Sequence, residues 1–149
     1  PAAFAPTTVL TRSMAAQVLW NLADSPAVPG TAGFTDVPSD AWYAGAVNWS
    51  ASRGIVTGYS TGAFGPEDAV TREQLAAMLY RYADAPEASG TLDAFTDADT
   101  VSAYAADAMR WAAANGIVNG SHGRLNPQGN ATRAQAAAML MRFCENMEQ

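Results

Sequence analysis

Apolar residues recur at helical spacing in five stretches of the chain, and the five are of two kinds. Leu75, Met78, Leu79 and Tyr82 stand three or four positions apart, along one face of a helix. Ala15, Val18, Leu19 and Leu22 make the same stripe earlier in the chain, and Ala136, Met139, Leu140 and Phe143 make it again later. The second kind is Trp42, Ala46 and Trp49, echoed by Tyr104, Ala108 and Trp111. It predicts helices of about 13 residues, ended by Gly54 and Gly116 in the left-handed cap position. The stretches "GIVTGYSTGAFGP" and "GIVNGSHGRLNP" are too glycine-rich for helix and read as a brief extended segment and turns.

The recurrence is a true repeat. "FAPTTVLTRSMAAQVLWNLA" (4–23) aligns with "FGPEDAVTREQLAAMLYRYA" (64–83) and "LNPQGNATRAQAAAMLMRFC" (125–144), at offsets of 60 and 61 residues. A preceding block, "FTDVPSDAWYAGAVNWSASRGIVTG" (34–58), aligns with "FTDADTVSAYAADAMRWAAANGIVNG" (95–120) with one residue inserted. The units are therefore 1–24, which lacks its first block, then 34–84 and 95–147. Pro-, Gly- and Ser-containing linkers separate them. A two-helix unit cannot bury its own face, so the three are expected to share one structural domain, pseudo-threefold about the second-block helices.

The second-block helices open in an unusual way. Thr71 suits an N-cap, and Gln74 three positions on completes a capping box. Arg72 then falls at the first helical position, where the helix dipole disfavours a cation by about 0.3–1 kcal/mol. "LTRSM" (10–14) and "ATRAQ" (131–135) repeat the arrangement with Arg12 and Arg133. A penalty taken three times requires a return.

Charge narrows the partners. The net charge is −6 with a pI near 4.5, and all eight basic residues are arginines, which argues against nucleic acid and anionic membranes. No run of about 18 apolar residues predicts membrane insertion. The start at Pro1, without a signal-peptide pattern, reads as a piece of something longer. Cys144 is alone, so no intrachain disulfide is possible; Ala23 and Ala83 at its matching positions point to a small buried residue.

The F-T-D block, the G-I-V-x-G turn, the F-x-P step and the T-R helix start together resemble the S-layer homology (SLH) family, over about residues 4 to 144. The resemblance implies a mostly α fold of tandem helix–loop–helix repeats in a pseudo-threefold, three-pronged spindle, with the first repeat incomplete. It implies an extracellular module on the bacterial cell surface that anchors a larger protein without covalent bonds. The implied partner is the secondary cell-wall polysaccharide of a Gram-positive-type bacterium, often pyruvylated, bound in grooves between adjacent repeats.

By position, the ligand residues implied are Arg12, Arg72 and Arg133, then Asp36, Trp42, Gly54 and Gly58, and in the last unit Asp97, Tyr104, Gly116 and Gly120. Unpaired N–H groups at a helix start, reinforced by an arginine fork, suit the carboxylate of a pyruvate ketal. An alternative stays open: each arginine pairs internally with Asp36 or Asp97 as a structural clamp. The aromatics are equally readable as core. The family's acidic residue after T-R-A is Met14, Gln74 and Gln135 here, and Trp42 has become Tyr104. The groove with the fullest set of residues joins the two complete units.

Catalytic chemistry has little to stand on. His122 is the only histidine, and no metal-ligand spacing, nucleophile–base pair or calcium loop is present, so no metal, cofactor or catalytic residue is expected. The reading is a wall-binding module and not an enzyme. The alternative is a structural or self-assembly module of a surface-layer protein that binds no glycan. The missing half-unit leaves an apolar flank through which self-association is expected.

Overall fold

The computed structural model describes residues 8–28 and 30–147. The opening of the first unit, including its F-x-P step at 4–6, lies outside them. Among the described residues five α-helices carry the fold: α1 (Arg12–Leu22), α2 (Ala44–Ser52), α3 (Arg72–Tyr82), α4 (Ala106–Ala114) and α5 (Arg133–Met147). Two 3₁₀ turns, Ala98–Thr100 and Ala103–Ala105, lead into α4. The chain is mostly helical, and among the described residues its extended pairing is limited to single-residue bridges. It divides into two compact units. One is Thr11–Ala69, with α1 and α2; the other is the chain up to Leu10 and from Val70 onward, with α3, α4 and α5.

The second-block helices begin as their sequence dictates. Thr71 accepts from the Gln74 amide at 3.2 Å, and the Gln74 side chain accepts from the Thr71 amide at 2.9 Å, a complete capping box. Thr132 and Gln135 do the same at 3.1 Å each way, and Thr11 accepts from Met14 N. The ends of α1 and α3 use no glycine. Asp24 and Ser25, then Asp84 and Ala85, take left-handed φ of 68°, 47°, 71° and 48°. That geometry lets Ser25 N reach Trp20 O and Ala85 N reach Tyr80 O, closing Schellman-type ends.

The first-block helices are nine residues long, shorter than the stripe predicted. Ahead of α2 the chain runs through tight three-residue turns, Ala41 N to Pro38 O and Ala44 N to Ala41 O; ahead of α4 it is 3₁₀. Trp42 and Tyr104 are therefore outside the helices and 63% and 54% exposed, so the core reading of these two aromatics fails. Trp49 and Trp111, at the far end of each stripe, are buried. Gly54 and Gly116 take φ near +73° and end the helices as expected.

Each first-block helix packs on the second-block helix of the preceding copy, α2 on α1 and α4 on α3. Ala15, Ala16 and Leu19 are buried on α1, and Leu75, Ala76, Ala77 and Leu79 on α3. Trp111 bridges Tyr80 and Phe143 at ring separations of 5.4 and 6.0 Å. Val18 and Leu22, by contrast, are more than a third exposed. Cys144 is half-buried.

Within the second unit, Leu10, Val70 and Ala131 each precede the threonine of a T-R start. Leu10 N donates to Ala131 O, Val70 N to Leu10 O and Ala131 N to Val70 O, at 2.8–2.9 Å. All three residues are buried. The matching points of the three copies thus close a ring of backbone hydrogen bonds.

Candidate functional site

Arg12 and Arg72 do not bond the aspartate of the F-T-D block. Asp36 instead accepts from Phe64 N at 2.8 Å and Gly65 N at 2.9 Å, pinning the F-x-P turn that leads to the next helix. Asp97 does the same for Leu125 N and Asn126 N, both at 2.8 Å. No ion pair links Arg12 to Asp36 or Arg72 to Asp97; the clamp of opposite charges is replaced by a carboxylate capping a turn. Burial acts to raise the Asp36 carboxyl, but the two amides and the nearby Arg12 charge outweigh it, and its pKa lies below the usual value. For Asp97 the Leu125 amide is the main cause of a lowered pKa, opposed by desolvation and helped by the Asn126 amide.

The arginines grip carbonyls of the same turns. Arg12 donates from Nε to Phe64 O at 2.8 Å and from Nη2 to Thr57 O at 2.7 Å. Its guanidinium lies over the rings of Phe64 and Tyr59, 4.6 and 5.2 Å from their centroids. Tyr59, 45% exposed, in turn donates its hydroxyl to Asp68 at 2.6 Å. That hydrogen bond, with desolvation behind it, holds the Tyr59 phenol protonated beyond its ordinary range. Arg12 is thus fixed on one edge and stacked on aromatic faces. Its Nη1 makes no hydrogen bond among the described residues.

Arg72 is held differently. Nη1 reaches Asn126 O at 3.3 Å and Nη2 reaches Gln135 Oε1 at 2.9 Å. The residues matching Tyr59 and Phe64 are Ser121 and Leu125, so no aromatic platform lies beneath it. Beside it Glu73 is 3% exposed. Its carboxylate accepts from Ser102 N and Oγ at 2.9 and 2.6 Å and from Gln128 Nε2 at 3.2 Å. Arg133 is half-buried, and its amide donates to Thr8 O at 2.8 Å.

The starts of α1 and α3 are not open anion sites. Arg12 N and Ser13 N are taken by Asp68 O and Pro66 O, and Arg72 N and Glu73 N by Gly129 O and Pro127 O. The third amides go to Thr11 and Thr71. At α1 and α3 the N–H groups expected to be unpaired are occupied by the turn of the following copy. The glycines are also occupied from within. A Cβ on Gly58 would strike the Phe34 ring, and one on Gly120 would strike Phe95. Gly54 and Gly116 have open space where a Cβ would go and serve their positive φ.

Trp42 stands edge-on to Tyr43, with ring centroids 5.1 Å apart, and the rings that do face Arg12 are Tyr59 and Phe64. Sequence reasoning passed over Tyr59 because its partner copy holds serine, and over Glu73 because Ser13 and Ala134 occupy its place elsewhere. The contacts of Arg12 all lie between Thr57 and Phe64 of the following copy, in the G-I-V-x-G turn, the loop after it and the start of the F-x-P step.

The S-layer homology domain pattern matches residues 33–76 and 94–137. The chain is 34% identical over 149 residues to the surface-layer 125 kDa protein of Lysinibacillus sphaericus, covering 97% of this chain and 12% of that protein. It is 37% identical over 120 residues to an amylopullulanase of Thermoanaerobacterium thermosulfurigenes (75% of this chain, 6% of the enzyme). It is 30% identical over 121 residues to S-layer protein EA1 of Bacillus anthracis (78% and 14%). The chain thus spans a small fraction of each relative's length, and the shared part is the repeat that carries the T-R helix starts: this chain belongs to the S-layer homology domain family.

Proposed function

We propose that the chain is a wall-anchoring module of the bacterial cell surface. It binds a secondary cell-wall polysaccharide, and a carboxylate such as that of a pyruvate ketal is taken by arginine, first of all by Arg12. One observation carries this choice: the Arg12 guanidinium is locked by two carbonyls and stacked on Tyr59 and Phe64, with a donor edge remaining. An aromatic beside a fixed charge suits a sugar bearing an acid. Arg72, turned to Asn126 O and Gln135 and lacking a ring, is the weaker groove. Enzymes such as the amylopullulanase share only this segment with the chain, which fits a module that accompanies other activities.

A structural reading has its own support, since Arg12 and Arg72 are both bound to groups of the chain itself and the first amides of α1 and α3 are filled. Binding to purified wall polymer, before and after mild acid removes pyruvate ketals, separates the two. Ketal-dependent binding that is lost in Arg12→Ala supports anchoring through the carboxylate. Absence of binding to either polymer leaves the structural module.

A further inference from the structure

The last repeat carries the dipeptide Asn-Gly twice, as Asn115-Gly116 and Asn119-Gly120, at the two ends of its G-I-V-x-G turn. The preceding repeat has Arg53-Gly54 and Thr57-Gly58 at the same places. An asparagine followed by glycine is open to attack by the next backbone nitrogen on its own side-chain carbonyl. No Cβ shields that nitrogen, and the main chain is free to bend into a five-membered ring. Both asparagines are exposed, so exposure does not separate them. Their hydrogen bonds do.

Asn115 is tied at each atom the ring closure needs. Its Nδ2 donates to Trp111 O at 2.8 Å, and its Oδ1 accepts from Asn146 Nδ2 at 3.0 Å. Gly116 N donates to Ala113 O at 3.2 Å. With a ψ of 9°, the helix-end geometry of Asn115 also turns Gly116 N away from the side chain it would have to attack. Asn119 has none of these ties. Among the described residues neither its side chain nor the Gly120 amide takes part in a hydrogen bond.

We propose that Asn119 is a self-modification site, at which the chain converts its own amide to a carboxylate while Asn115 is spared. The Gly120 nitrogen gives its proton to solvent and bonds to Asn119 Cγ; the Cγ–Nδ2 bond breaks and ammonia leaves. Water then opens the succinimide. Attack at Cγ yields aspartate, and attack at the main-chain carbonyl yields isoaspartate, whose backbone runs through Cβ and Cγ. The net change is one water in and one ammonia out, with no oxidation. It adds one negative charge to a chain of net charge −6. Isoaspartate also lengthens the main chain by one atom where there is no spare room, since even a Cβ on Gly120 would stand 2.7 Å from Arg124 O and from the Phe95 ring. The bonds that this lengthening displaces are Ser121 N to Arg124 O at 2.8 Å and Thr96 N to Gly123 O at 2.9 Å, so the turn loosens as the protein ages. The inference is independent of glycan binding.

The test is peptide mapping of the intact chain aged in mildly alkaline buffer, with and without urea. Cleavage at arginine releases residues 111–124, which carry both asparagines. Electron-transfer fragmentation locates the one-dalton gain and distinguishes isoaspartate from aspartate. The folded chain is expected to convert Asn119 at least tenfold faster than Asn115, and in urea that preference disappears. The aged chain melts at a lower temperature than the fresh one, and Asn119→Thr, the residue of the sister copy, prevents both the conversion and the fall. Equal conversion of the two asparagines in the folded chain overturns the inference. So does a folded chain that stays unconverted while the urea-treated chain reacts. A preference for Asn119 that persists in urea also overturns it, because local sequence and not the fold is then its cause. An unchanged melting temperature after conversion to isoaspartate refutes the loosening of the turn.

Discussion

Arg12→Ala removes two charge-assisted hydrogen bonds, to Phe64 O at 2.8 Å and Thr57 O at 2.7 Å, and two ring contacts. Hydrogen bonds to charged groups contribute about 1.5–3 kcal/mol each, and partial exposure here argues for the low end. The stacked rings add about 0.5–1 kcal/mol. Relief of a cation at the helix start returns about 0.3–1 kcal/mol. The net expectation is a loss of about 3 kcal/mol. Arg72→Ala loses one long bond at 3.3 Å, one to the Gln135 side chain and no ring contact, for about 1–1.5 kcal/mol. Arg12→Lys should fall between, because a point charge cannot bridge both carbonyls. Urea unfolding followed by circular dichroism at neutral pH measures all three. An Arg72→Ala cost equal to that of Arg12→Ala, or an Arg12→Ala cost below about 1 kcal/mol, would show that the arginine is not the strut described.

Three further outcomes are expected. Glu73→Ala leaves the half-buried Ser102 amide and hydroxyl without their acceptor, while the exposed Gln128 keeps Thr100 O, a loss of about 1–3 kcal/mol by chemical denaturation, although the third copy tolerates Ala134 at that position. Ala85→Gly relieves a left-handed φ of 48° and raises stability by about 1 kcal/mol, seen as a higher melting temperature. Asp36 and Asp97 both have folded pKa values below their unfolded ones, so their contribution is present above the unfolded value near about 4. It is lost as pH falls through the lowered folded values; melting temperatures should drop in that window, and Asp36→Asn should make the drop shallower.

Much of the fold was legible because the repeat states each rule more than once. The N-caps at Thr11, Thr71 and Thr132, the glycine ends of α2 and α4, and the core stripe of α3 all follow from local pattern. The length of the first-block helices was not legible, since the apolar spacing of Trp42 and Tyr104 continues through turns that are not α-helical. The arginines were found by sequence, but their partners were not. A carbonyl acceptor leaves no mark in the side-chain alphabet, whereas an aspartate 24 residues away from Arg12 invites an ion pair. Tyr59 and Glu73 were missed because repetition was the signal sought, and each occurs in one copy only.

The ring at Leu10, Val70 and Ala131 uses both backbone groups of every member. Nothing remains on it for a neighbouring chain to pair with, so a locus that elsewhere would be an aggregation-prone edge is silent here. It also closes only when all three members are present. Its members are sixty or more residues apart, and contacts of that separation pay loop-closure entropy before they stabilise anything. The ring should therefore form late in folding, after the helix pairs, and its loss should appear as faster unfolding with little change in the folding rate.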